Sequence, residues 1–172
     1  MLVFLCSNRR IVSPLIDLLE RDGVTNLPNK KSFKQQVSDH FLDKGLNGLL
    51  VIVSVDNFNR LTAAYSHEEL TLLFNHIKQR MQSKLIHNSL LGHFSESRFI
   101  AYMNCDSEMG DHSCLAWLQS LANSLSASYS INGREIHCTF SIGACRFPEY
   151  GVNIENLIDN CFSVIANEKR SG

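Results

Sequence analysis

The chain is 172 residues long, 44% hydrophobic and 19% charged, enough for one globular domain with its own core. Its formal net charge of -1 excludes a general electrostatic field for nucleic acid or for an acidic membrane surface. The six cysteines (Cys6, Cys105, Cys114, Cys138, Cys145, Cys161) include no C-x-x-C pair and mostly stand where small apolar residues would, so they read as reduced thiols.

Met1–Leu5 is apolar and is followed by Asn8-Arg9-Arg10. Such a run is too short to span a bilayer, which takes roughly 20 residues. It reads either as the cytoplasmic end of a membrane segment or as an ordinary apolar start packed on the domain. Ser13-Pro14 then starts a short amphipathic helix with Leu15, Leu18 and Leu19 on one side, ended by Asp22-Gly23. Residues 1–21 are therefore expected to be a connector, and 22–172 a single domain.

Asp22 to Phe33 reads D-G-V-T-N-L-P-N-K-K-S-F, a turn-rich loop in which Asn29 is placed to cap a helix running to about Asp43. Leu49–Val53 is a continuous apolar, β-branched run, the pattern of a central strand covered on both faces. It ends in Ser54-Val55-Asp56-Asn57-Phe58-Asn59, polar side chains at a strand's carboxyl end, where binding residues gather. Ser66 and Glu69 form a capping box for a helix carrying Leu70, Leu73, Phe74, Ile77, Met81 and Leu85 on one face.

Leu90–Leu91 and Phe99–Tyr102 flank the polar stretch Ser95-Glu96-Ser97-Arg98, a β-hairpin with a chemically addressable tip. Within that tip Glu96 is expected to pair with Arg98. A third amphipathic helix runs from Ser113 to about Ser126, capped by Asp111 or Ser113. His112 and Cys114 beside Asp111 resemble a fragment of a metal site, but their position at a helix start favours capping over zinc. Asn132-Gly133 marks a hairpin turn, after which Ile136, Cys138, Phe140, Ile142 and Ala144 alternate along one strand. Ile154, Leu157, Ile158, Cys161 and Ile165 mark a last helix. The order predicts an α/β sandwich, helices on a central mixed sheet, with a β-α-β-β-α-β core of the ferredoxin-like kind.

These segments together resemble the GGDEF domain, the diguanylate cyclase fold related to adenylate cyclase palms. Asp22–Phe33 is similar to the family's D-x-L-T-G-L-P-N-R-R-x-F. Val53–Phe58 (V-S-V-D-N-F) matches D-x-D-x-F, Thr139–Ala144 (T-F-S-I-G-A) matches T-x-S-I-G-x, and Lys169 with Gly172 falls near the closing A-K-x-x-G. The resemblance implies a chemistry in which two facing domains condense two GTP molecules to cyclic di-GMP. Carboxylates hold divalent metal ions on the triphosphate, and a glycine-rich turn lets the nucleotide approach the backbone.

This sequence departs from each requirement. Ser95-Glu96-Ser97-Arg98-Phe99 lies over G-G-[DE]-E-F, so both glycines are gone and the two acids become Ser97 and Arg98. The aspartate opening D-x-D-x-F becomes Ser54, leaving Asp56. The lysine of the next motif becomes Asn59, the guanine-recognising Asn and Asp become Thr62 and Thr71, and His67 survives. A hydroxyl does not supply the two-acceptor carboxylate that pairs with guanine's N1 and N2 donors. The product-inhibition motif R-x-x-D falls on Ile86-His87-Asn88-Ser89 and has neither charge.

The resemblance therefore implies a degenerate GGDEF module with no catalytic residue, no metal, no cofactor and no product site. GTP binding is not expected, although an allosteric GTP-sensing module and a pure interaction scaffold are rival readings. The T-N-L-P-N form of the opening motif, and an end where family members often continue into an EAL phosphodiesterase domain, suggest a composite parent. Expected partners are a second copy of the chain and that EAL domain, without nucleic acid. The expected location is the cytoplasm, as the cytosolic part of an inner-membrane protein.

Overall fold

The computed structural model describes residues 19–42, 47–86, 88–105, 110–151 and 153–171, without the side chains of 41, 42, 111 and 168–171. Of the expected connector helix only residues 19 and 20, which are helical, fall among the described residues; its start at Ser13 and the apolar start at Met1–Leu5 lie outside them, as do Cys6 and Asp43.

Helix α1 (Lys30–Val37) starts where Asn29 accepts the Ser32 backbone N–H at 3.1 Å. It passes into a single π turn, Ser38–Leu42, where the sequence predicts continuous α-helix. Strand β1 (Gly48–Val55) is buried along its whole length, as its apolar run requires. A seven-residue helix α2 (Phe58–Ala64), not foreseen from sequence, precedes α3 (His67–Gln82), whose Ser66–Glu69 capping box is fully formed. The hairpin is β2 (Ser89–Ser95) and β3 (Arg98–Asn104), turning at Glu96-Ser97.

Helix α4 (Asp111–Ser126) begins after Gly110, which holds the N-cap position without a side-chain hydrogen bond. The expected Asp111 or Ser113 cap is thereby corrected. Strands β4 (Tyr129–Ile131) and β5 (Arg134–Ile136) join through Asn132 (φ 51°) and Gly133 (φ 76°), both left-handed as a type I′ turn demands. β6 (Phe140–Phe147) follows after a break at 137–139, and α5 (Ile154–Ser171) ends the described chain.

The main sheet has the order β2-β3-β1-β6. Its ladders are antiparallel, and a parallel bridge from Asn29 to His93 adds loop backbone at the β2 side. Alternation along β1 sends Val51, Val53 and Val55 to one face and Leu50 and Ile52 to the other. The first face packs on Leu73, Phe74, Ile77 and Met81 of α3 and on Leu121 and Leu125 of α4. The second packs on Phe33 and Val37 of α1 and on Leu157, Ile158 and Cys161 of α5. Helices thus cover both faces, which makes β1 the buried axis of an α/β sandwich.

The run Ile136 to Ala144 does keep one face toward the core. It is two strands in two sheets all the same, because the chain leaves the β4–β5 hairpin before joining β1. The five described cysteines are free thiols, and burial pushes Cys138 up to about 11. Among the described residues, no helix is long and apolar enough to cross a membrane.

Candidate functional site

Asp22 organises the loop that leads into α1. Its Oδ1 accepts the Val24 N–H at 3.1 Å, the Thr25 N–H at 2.7 Å and the Thr25 hydroxyl at 2.7 Å. The same oxygen lies 2.8 Å from His93 Nδ1, a contact of ion-pair length that is bent away from hydrogen-bond geometry. Burial by itself would raise the Asp22 carboxyl. The Thr25 backbone donor, His93 and the Thr25 hydroxyl outweigh it and hold the group below its ordinary value. Further along, Asn26 takes φ 57°, at the position where the family motif has glycine. Asparagine is among the few side chains that tolerate that conformation. Helix α3 fastens the loop from the other side, with Asn75 donating to the Val24 carbonyl and Lys78 to the Thr25 carbonyl.

His93 sits on β2 facing this loop. Its backbone N–H donates to the Pro28 carbonyl at 2.9 Å. The ring stacks on Phe99, with centroids 4.7 Å apart, and leans on Phe74 at 5.7 Å. The residue is 6% exposed, and Nε2 has no hydrogen-bond partner.

Between the loop, α2, α3 and the hairpin lies a cavity of about 800 Å³. Its apolar lining is Val24, Phe58, Leu70 and Phe74 with the His93 ring. Asn59, Thr62, His67 and Thr71 line it from α2 and α3; Asn29, Lys30 and Lys31 from the start of α1; Phe94, Ser95 and Glu96 from the hairpin. Thr62 donates its hydroxyl to the Asn59 carbonyl at 3.0 Å and Thr71 to the His67 carbonyl at 2.9 Å. Each therefore turns its proton into its own helix and offers a ligand a lone pair.

The residues singled out in the sequence divide into two groups. Asn59, Thr62, Thr71, Ser95 and Glu96 line the cavity. Ser54, Asp56, Ser97 and Arg98 gather instead at the neighbouring strand ends, while Phe99 is fully buried in the core. Ser54 pairs in register with Arg98 on one side and Ser141 on the other. The Val55 N–H donates to the Ser97 carbonyl, and Asp56 Oδ2 accepts from the Ser141 hydroxyl at 2.8 Å. The Arg98 guanidinium lies 5.1 Å above the Phe162 ring of α5. The expected Glu96–Arg98 pair is thus corrected: Arg98 is spent on an aromatic face, and Glu96 belongs to the cavity.

Serine hydroxyls and a guanidinium beside one carboxylate do not fit a hard divalent cation, which takes several oxygen ligands with net negative charge. Among the described residues there is no group of three or more His, Cys, Asp or Glu side chains able to hold a metal ion. At the start of α4, Cys114 is buried and its sulfur accepts from Arg146 Nη2 at 3.2 Å, while His112 is exposed. The Asp22–His93 contact and the Lys30–Lys31 edge were not visible as site features in the sequence. The only signal was the turn-rich D-G-V-T-N-L-P-N stretch, which says nothing about what it will face 71 positions later.

Residues 19–172 match the family model described as "Diguanylate cyclase, GGDEF domain". Among curated proteins, the chain is 22% identical over 154 residues to the cyclic di-GMP phosphodiesterase NbdA of Pseudomonas aeruginosa, covering 88% of this chain and 19% of the relative. It is 24% identical over 166 residues to the cyclic di-GMP phosphodiesterase PdeR of Escherichia coli, covering 95% and 24%. The chain therefore spans about a fifth to a quarter of those relatives' length. A sensory box/GGDEF family protein of Caulobacter crescentus superposes with a TM-score of 0.77 at 23% identity, covering 89% of this chain and 99% of that one. The GGDEF domain of FimX from Pseudomonas aeruginosa superposes with a TM-score of 0.74 at 20% identity, covering 89% and 95%. With the sheet order and the match over 19–172 in agreement, the chain belongs to the GGDEF domain family of cyclic di-GMP signalling.

Proposed function

We propose that this chain is a non-catalytic GGDEF module that regulates, and helps to dimerise, a larger cyclic di-GMP signalling protein. The observation that carries the reading is the arrangement at the strand ends. Ser54 stands in register with Arg98 where the family resemblance calls for metal-binding acids, and Arg98 is committed to Phe162. Phosphoryl transfer depends on charge neutralisation by metal ions, so a cation and hydroxyls there remove the means of positioning a triphosphate. The hydroxyls of Thr62 and Thr71 replace the guanine-reading groups and donate into their own helices.

The two curated relatives are cyclic di-GMP phosphodiesterases, which supports a parent that hydrolyses cyclic di-GMP through an EAL domain following this module. Its placement at the cytoplasmic face of an inner membrane, as the cytosolic part of the parent, belongs to the same proposal. The experiment is to compare cyclic di-GMP hydrolysis by the full-length protein with that of a form in which residues 22–172 are deleted. A change in rate or in oligomeric state on deletion supports regulation. Unchanged rate and unchanged assembly would overturn it.

A further inference from the structure

We infer that Cys145 and Cys161 form a dithiol modification site, which a hydroperoxide converts to a disulfide that staples helix α5 to strand β6. The two residues come from separate elements and meet at one backbone position. Cys145 stands in register with Leu50 of β1, and the Cys161 thiol donates to the Leu50 carbonyl at 3.6 Å. The Cys161 sulfur also lies within hydrogen-bonding reach of the Cys145 thiol and of its backbone N–H. Helix α5 presses closely on β6 here, since a Cβ built on Gly143 would meet the Cys161 carbonyl at 2.6 Å. Both cysteines belong to the core on the α1–α5 face of the sheet, whereas Cys105, Cys114 and Cys138 pack on the opposite face. Each member of the pair therefore has the other as its one thiol neighbour among the described residues. Thiols in contact across two elements meet the first requirement of a disulfide, side chains directed at each other.

The pair is asymmetric. Cys145 is 4% exposed and Cys161 has no exposure, so an oxidant meets Cys145 first. Burial pushes both thiols up, and the Cys161 thiol, by donating to the Cys145 sulfur, opposes that rise at Cys145. The Cys145 thiolate is therefore the attacking group and Cys161 the resolving one. Attack on the hydroperoxide breaks its O–O bond and leaves a sulfenic acid on Cys145. The other oxygen departs as an alcohol, or as water from hydrogen peroxide, and takes the Cys145 proton. The Cys161 sulfur then displaces the sulfenic hydroxyl, which leaves as water with the Cys161 proton. Two electrons pass from the thiol pair to the peroxide. Because burial keeps the thiolate fraction low, the dithiol is the resting state and its oxidation is slow. The bond encloses residues 146–160 and adjoins Phe162, whose ring holds Arg98, so oxidation fixes the helix that seats the hairpin tip.

The test is treatment of the native 172-residue chain with hydrogen peroxide, alkylation of the remaining thiols, and peptide mapping by mass spectrometry without reduction. The expected result is a Cys145–Cys161 cross-linked peptide as the main disulfide. The thermal midpoint should rise by roughly 5–10 °C and return to its starting value with dithiothreitol. Cys145→Ala and Cys161→Ala should each abolish the cross-link and the rise, and Cys105→Ala should abolish neither. If a pair variant does not fold, the map of the unsubstituted chain still decides. Thiols that all stay reduced, a different dominant pairing, or Cys145 carried to sulfinic acid beside a free Cys161 would overturn the inference. So would a cross-link that leaves the midpoint unchanged, or the same distribution of cross-links in concentrated guanidinium chloride, where the fold no longer selects the pair.

Discussion

Asp22 shows how much of the site depends on a single carboxylate. It accepts three hydrogen bonds from its own loop and faces a histidine whose ring nitrogens have no hydrogen-bond partner among the described residues. Replacing it by asparagine keeps the shape and removes the charge, with an expected cost of about 2 kcal/mol at pH 7, the scale of hydrogen bonds to a charged group. Because the folded carboxyl lies below its ordinary value, its contribution is present above about pH 3.9 and is lost as pH falls through the lower folded value. Urea unfolding of the native and Asp22→Asn proteins should therefore differ at pH 7, with a gap that narrows as pH falls below about 3.9. A gap that stays constant across the acid range would contradict this. Asn26, at φ 57°, gives a second residue-level expectation. Asn26→Ala should cost about 1 kcal/mol and Asn26→Gly very little, because only the alanine pays for a left-handed backbone. Equal midpoints for the two variants in the same unfolding assay would remove that explanation.

Among the elements, β2 is pressed closely on α1. A Cβ built on Gly92 would meet the Phe33 ring at 2.7 Å, and Phe33 is fully buried. Gly92→Ala should therefore destabilise the fold by about 1–3 kcal/mol through overpacking, and a neutral effect on thermal unfolding would show that the two elements can separate freely. Elements of this kind were unevenly legible beforehand. β1 was readable because a strand covered on both faces has to be apolar throughout, and α3 because Ser66 and Glu69 announce its start. The break at 137–139 was not, since Ile136, Cys138 and Phe140 keep their alternation while the chain changes sheets. Helix α2 has one buried residue, Leu61, and is too short to show a period. The turn of Arg98 onto Phe162 joins residues 64 positions apart, which no local pattern encodes.

At the scale of the whole molecule, the sheet order and the helices on both faces carry the GGDEF frame intact. The strand ends and the cavity differ in kind from that frame. One set of positions holds Ser54, Ser97 and Arg98 around Asp56, and the other is an aromatic pocket with Lys30 and Lys31 on its lining. The resemblance made the first set readable as substitutions along the chain. The second needed Phe58, Phe74 and His93 brought together from α2, α3 and β2. The central claim is that this frame no longer makes cyclic di-GMP, and the direct measurement is chromatographic and mass-spectrometric detection of that product after incubating the chain with GTP and Mg²⁺. The account predicts no cyclic di-GMP above an enzyme-free control at any protein concentration; product that accumulates with time and scales with the chain would contradict it.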